Sequence, residues 1–129
     1  NALVDGTGAV LDADFIGFSN LLDDGDALDA VYRKATGALQ NVEEGCHTLV
    51  ASTYVKLGLV YDPAAPSDRR VTFFVDGVDI GSYVTGTDIA AATFPDGETL
   101  GWIFATKVGS AAEVKANVRW VRFCQLRVR

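Results

Sequence analysis

Residues 54–83 read YVKLGLVYDPAAPSDRRVTFFVDGVDIGSY, and the fold is decided by how this stretch is parsed. From Tyr54 to Tyr61, Val55, Leu57, Leu59 and Tyr61 alternate with the more mixed set Tyr54, Lys56, Gly58 and Val60. That period of two is the signature of a strand with one apolar face. Asp62-Pro63-Ala64-Ala65-Pro66-Ser67-Asp68 stops it, because proline locks φ and lacks an N–H, while Asp and Ser side chains bond local backbone. Val71–Val75 resumes as a β-branched and aromatic run. Asp76-Gly77 then supplies the dipeptide suited to a two-residue hairpin, and Val78–Val84 is the returning strand.

The flanking segments have the same texture. Asn1–Val10 carries the turn residues Asp5, Gly6 and Gly8. Asp14–Asn20 reads as a strand partly covered on both faces, followed by a turn at Asp23-Asp24-Gly25-Asp26. Leu28–Lys34 and Ala38–Val42 flank Ala35-Thr36-Gly37 and predict a second hairpin. A helix over Ala27–Leu39 is the alternative, since Ala, Leu, Lys and Arg favour one; Val31, Tyr32 and Gly37 weigh against it. Glu43-Glu44-Gly45 reads as a loop and His47–Ala51 as a short strand. Thr87–Ala92 reads as one helical turn or a loop crossing, and Phe94–Glu98 as a turn. Leu100–Lys107 is expected to be an aromatic-bearing strand, with a turn at Val108–Ala111. Val118–Val128 is a long closing strand with Val118, Trp120, Cys124, Leu126 and Val128 on one face. Many short strands, frequent turns and little helix predict an all-β, antiparallel two-sheet sandwich.

Length and composition agree with that class. The 129 residues suit one domain, 1–129, and the 49% apolar and 22% charged composition is that of a globular chain. No apolar run approaches the roughly 20 residues that span a bilayer, so no membrane association is expected. The chain starts at Asn1 and contains no Met. We therefore expect it to be the C-terminal part of a longer protein whose preceding strands belong to the same sandwich.

The net charge of −6 disfavours nucleic acid, whose binding draws on Lys and Arg replacing counterions. The charge is also polarised. Residues 1–32 hold seven Asp and no Lys or Arg, whereas the last eleven hold Arg119, Arg122, Arg127 and Arg129 and no acid. Such polarity can steer identical subunits head to tail; the simpler reading is acidic turns at one end and Arg flanking a terminal strand. The carboxylates at 23–26 invite calcium, yet no Glu closes an EF-hand register, so a solvated turn is preferred and no cofactor is expected. Cys46 and Cys124 form no CxxC, and with the one His47 they make no zinc site. A buried free thiol is expected at Cys124; a disulfide would require the fold to bring Cys46 alongside.

The phrase YDP followed by VTFFVDGVDIGSY resembles the laminin-G-like and concanavalin A-like lectin/glucanase superfamily over residues 52–85. The closing VRWVRFCQLR is similar to its last strand within a looser match over 100–128, with Arg119 where an acid is common. YDP, IAAATFPDGE and the ATK at 105–107, with the aromatic last strand, also resemble uncharacterised virion-associated proteins of tailed bacteriophages. The first resemblance implies a jelly-roll sandwich. It does not imply glucanase activity: those enzymes place two carboxylates in a Glu-x-Asp-x-x-Glu strand, and the four Glu here (43, 44, 98 and 113) have no such spacing. No nucleophile elbow or phosphate-cradling glycine loop is present either.

A non-enzymatic protein is therefore expected, of one of two kinds. The first is a virion structural protein, such as a capsid decoration or attachment protein, contacting copies of itself or other capsid proteins. The second is a carbohydrate-binding module, extracellular or on a cell surface, in which aromatics stack on glycans. Ligand residues for the second would be Tyr54, Tyr61, Asp62 and Trp102, with Tyr32 and Asp76 as further candidates; each of the six sits on an alternating strand or in a turn-forming pair, so a core or turn role is preferred for most of them.

Overall fold

A computed structural model describes residues 14–20, 25–35, 37–96 and 117–124 of the chain. Six strands and one short helix follow in order: β1 Phe15–Ser19, β2 Ala27–Arg33, β3 Gln40–Thr48, β4 Leu57–Tyr61, β5 Val71–Val75, β6 Val78–Val84 and α1 Gly86–Ala90. They form two antiparallel three-stranded sheets, β1-β2-β3 and β4-β5-β6, each built from strands consecutive in sequence. The all-β class holds, and residues 27–33 are strand rather than helix.

The two sheets share one core. Ala30 and Tyr32 of β2 meet Val71 and Phe73 of β5, Val84 of β6 and Phe94 beyond the helix. Phe18 of β1 sets its ring edge-on to Phe73, with centroids 5.5 Å apart. Tyr32 packs on Phe94 at 5.4 Å. These aromatic contacts bury large area in a specific geometry and tie the layers together. Burial raises the Tyr32 hydroxyl pKa above its ordinary value.

The Asp76-Gly77 hairpin forms as its chemistry requires. Asp76 has φ +51° and Gly77 φ +83°, so both central residues are left-handed, as a type I′ turn needs. The Asp76 carboxylate accepts the Lys56 N–H at 2.8 Å, which ties the turn to the start of β4. Further on, Thr85 and Asp88 make a reciprocal capping box that starts α1.

Several boundaries differ from the sequence reading. The strand expected from Tyr54 begins at Leu57. Glu43-Glu44-Gly45, read as a loop, lies inside β3, and His47 and Thr48 end that strand, leaving 49–51 outside it. The reason is a bulge. Leu28 faces His47 and Ala30 faces Glu43, so two steps along β2 match four along β3. Gly45 takes φ +62° there, and its N–H donates to the buried Asp29 carboxylate at 2.7 Å. A turn-like sequence thus sits within a ladder. β6 repeats the device: Thr72 faces Tyr83 and Phe74 faces Asp79, Gly81 has φ +85°, and its N–H donates to Asp79 at 2.8 Å.

Residues 117–124, expected to open the closing strand, belong to no sheet. Cys124 is exposed rather than buried, and both thiols are free. The expected turn and strand at 1–10 and 100–107, together with Asp23, Asp24 and residues 125–128, lie outside the described residues. Among the described residues no helix is long and apolar enough to cross a membrane.

Candidate functional site

The exposed part of the central stretch is β4, and its position follows from pairing. Leu57 faces Val75, Leu59 faces Phe73 and Tyr61 faces Val71 across the β4–β5 ladder. Directly opposed residues share a face. Leu57, Leu59 and Tyr61 therefore stand on the same side as Val71 and Phe73, which are fully buried. Yet they are 39%, 40% and 57% exposed. Among the described residues, the core-side face of β4 is an apolar surface left partly open.

β3 and β6 face each other, with the Ser82 hydroxyl donating to Glu43 at 2.5 Å. β1 reaches β5 through Phe18 on Phe73. β4 lies on the other side of β5 from β6.

The residues proposed for a glycan separate under the same geometry. Tyr54 is 60% exposed and precedes β4, with the Arg119 guanidinium over its ring at 5.5 Å from the centroid. Tyr61 ends β4. Asp62 is exposed, but its carboxylate accepts the Ala64 N–H at 2.8 Å and shapes the proline-containing turn. Trp102 lies outside the described residues. Tyr32 is buried in the core, and Asp76 lies exposed in the hairpin with its carboxylate accepting the Lys56 N–H.

A groove of about 310 Å³ lies between β3 and β6, lined by Glu43, Gly45, Cys46, Val75, Asp79 and Ile80 among others. Its polar groups are engaged locally: Glu43 by Ser82, and Asp79 by the Gly81 N–H and the Tyr83 hydroxyl. Burial, then the Asp29 and Glu43 carboxylates, push the Cys46 thiol above its ordinary pKa. That direction disfavours the thiolate a nucleophile needs. Among the described residues no group of three or more His, Cys, Asp or Glu could hold a metal ion.

The sequence reading missed the surface formed by Leu57 and Leu59, which alternation assigned to the core. It also missed the exposure of Trp120 and Phe123, 62% and 77% respectively. No protein-family model, curated protein or solved structure matches the chain.

Proposed function

We propose that the chain is a non-enzymatic structural protein of a bacteriophage virion, a capsid decoration or attachment protein on a jelly-roll, concanavalin A-like sandwich. The observation that carries this reading is the open core-side face of β4. Contiguous exposed apolar surface rimmed by polar groups is characteristic of a protein contact surface, and Leu57, Leu59 and Tyr61 provide it with Lys56 and Asp62 at its ends. The phage-like phrase IAAATFPDGE and the polarised charge support the same reading. Its test is mass spectrometry and cryo-electron microscopy of purified particles. The chain should be present in fixed stoichiometry, in a regular array with contacts above about 1,000 Å². Its absence from particles defeats the proposal.

Exposed Tyr54 favours a second reading, a carbohydrate-binding module on an extracellular or cell-surface protein. A glycan array would then show saturable binding that Tyr54→Ala or Trp102→Ala abolishes without unfolding. The first reading is preferred because Arg119 already covers a face of the Tyr54 ring, where a sugar would stack.

A further inference from the structure

Proline stands at 63, 66 and 95 of the chain, and only Pro63 follows an aspartate. The bond between Asp62 and Pro63 therefore combines two chemical features. Its nitrogen lies in the proline ring and carries no N–H, so on cleavage it leaves as a secondary amine, which takes up a proton more readily than a primary one. Its carbonyl carbon lies where the Asp62 side chain can close a five-membered ring on it.

The fold holds this residue at three points. The Asp62 N–H donates to the Arg70 carbonyl at 3.0 Å, continuing the β4–β5 ladder past Tyr61 and Val71. Its carboxylate accepts the Ala64 N–H at 2.8 Å, which folds the side chain back along its own backbone. Its carbonyl oxygen accepts the Ala65 N–H at 3.2 Å. That last donor already faces the oxygen on which charge would develop if the carbonyl carbon were attacked, the arrangement that stabilises an oxyanion. Asp62 and Pro63 are both exposed, so water reaches the bond. Asp79 is a built-in comparison: its carboxylate accepts the Gly81 N–H at 2.8 Å in the same way, but Ile80 follows it.

We infer that the bond between Asp62 and Pro63 is a self-cleavage site that the folded turn activates, and that the β4–β5 ladder keeps the two pieces together afterwards. One oxygen of the Asp62 carboxylate attacks the Asp62 carbonyl carbon, and the carbonyl electrons move onto the oxygen that faces the Ala65 N–H. They return as the bond to Pro63 breaks, and the proline nitrogen takes a proton from water. The first piece then ends in the cyclic anhydride of Asp62, which one water molecule opens to two carboxyl groups. Net, one water is consumed and Pro63 becomes a new amino terminus. The pairs from Leu57–Val75 to Tyr61–Val71 run between the pieces, so the sheet survives the cut. Each chain reacts once, on itself; the step is no turnover activity and stands independently of the virion reading.

The test is intact mass spectrometry of the purified chain held in mildly acid buffer, folded and, in parallel, unfolded in urea at the same pH. The folded chain should split between Asp62 and Pro63 at least about tenfold faster than the unfolded one, because only the fold holds the carboxylate and the Ala65 N–H in place. The bond between Asp79 and Ile80 should stay whole. Asp62→Glu keeps the charge but must close a larger ring, and Pro63→Ala keeps the carboxylate but loses the secondary-amine leaving group; each should split at least about tenfold more slowly. Native chromatography should elute the two pieces together, and urea should part them. If a variant does not fold by circular dichroism, the comparison of folded and unfolded unmodified chain decides alone. A folded chain that stays whole, or splits no faster than the unfolded one, overturns the inference. So do folded variants that split at the unmodified rate, or pieces that part in native buffer. None of these outcomes bears on the detection of the chain in particles, so the two readings fall separately.

Discussion

Single residues set the backbone where the strands turn or bulge. Gly77 holds φ +83°, a conformation that a β-branched residue adopts only under strain. Gly77→Val should lower unfolding free energy by about 1 kcal/mol or more; an unchanged melting temperature would contradict the turn. Asp29 is buried at 4% exposure and accepts the Gly45 N–H across the bulge. Asp29→Ala removes that acceptor and should cost about 1–3 kcal/mol in urea unfolding, whereas Asp29→Asn keeps an amide oxygen and should cost less. Equal losses would show that the carboxylate is not acting through this bond. Asp96 has a different role. A hydrogen bond from Lys34 at 2.5 Å, and then its charge, hold the Asp96 carboxyl below its ordinary value of 3.8. Since the folded value is the lowered one, the stabilisation is present above the ordinary value and fades as pH falls through the folded one. In Lys34→Gln the Asp96 carboxyl resonance should titrate at higher pH. The stability difference from the unmodified chain should close under strong acid, and one that widened there would contradict the pairing.

Elements show how far alternation alone can be read. β4 and β5 are adjacent and both apolar, yet Val71 and Phe73 of β5 are fully buried while Leu57, Leu59 and Tyr61 of β4 are partly exposed. Phe73, with no exposed area and Phe18 edge-on, should lose about 3–5 kcal/mol on replacement by alanine. Leu59 faces it across the ladder and is 40% exposed, so Leu59→Ala should cost about 1 kcal/mol or less in the isolated chain. Similar losses at dilutions that exclude assembly would mean that β4 is covered within one chain. The β5–β6 hairpin was legible because its determinants are local: a two-residue turn of the right type between apolar runs. The interior of β3 was not, because Glu43-Glu44-Gly45 has turn composition and becomes ladder only when Asp29 of the neighbouring strand receives the Gly45 N–H. Residues 117–124 show the converse: they belong to no strand, so alternation by itself does not make one.

At the scale of the molecule, two three-stranded sheets share the core and, among the described residues, leave the β4 face partly open. The candidate glycan set divides. Tyr54 and Tyr61 are exposed, whereas the Asp62 carboxylate serves its own turn.

What the sequence determined by itself was local: the alternation of β4, the apolar run of β5, the strand character of β1, β2 and β6, the left-handed turn at Asp76-Gly77, the break at the two prolines, and hence the all-β class. Period and permitted φ are properties of a few consecutive residues. The tertiary structure alone decided coverage and partnership: that Phe73 is buried while Leu59 is open, that Cys124 is exposed, and that Gly45 lies within a ladder. Burial depends on what the opposite layer places over a face, and residues far apart in the chain supply that layer.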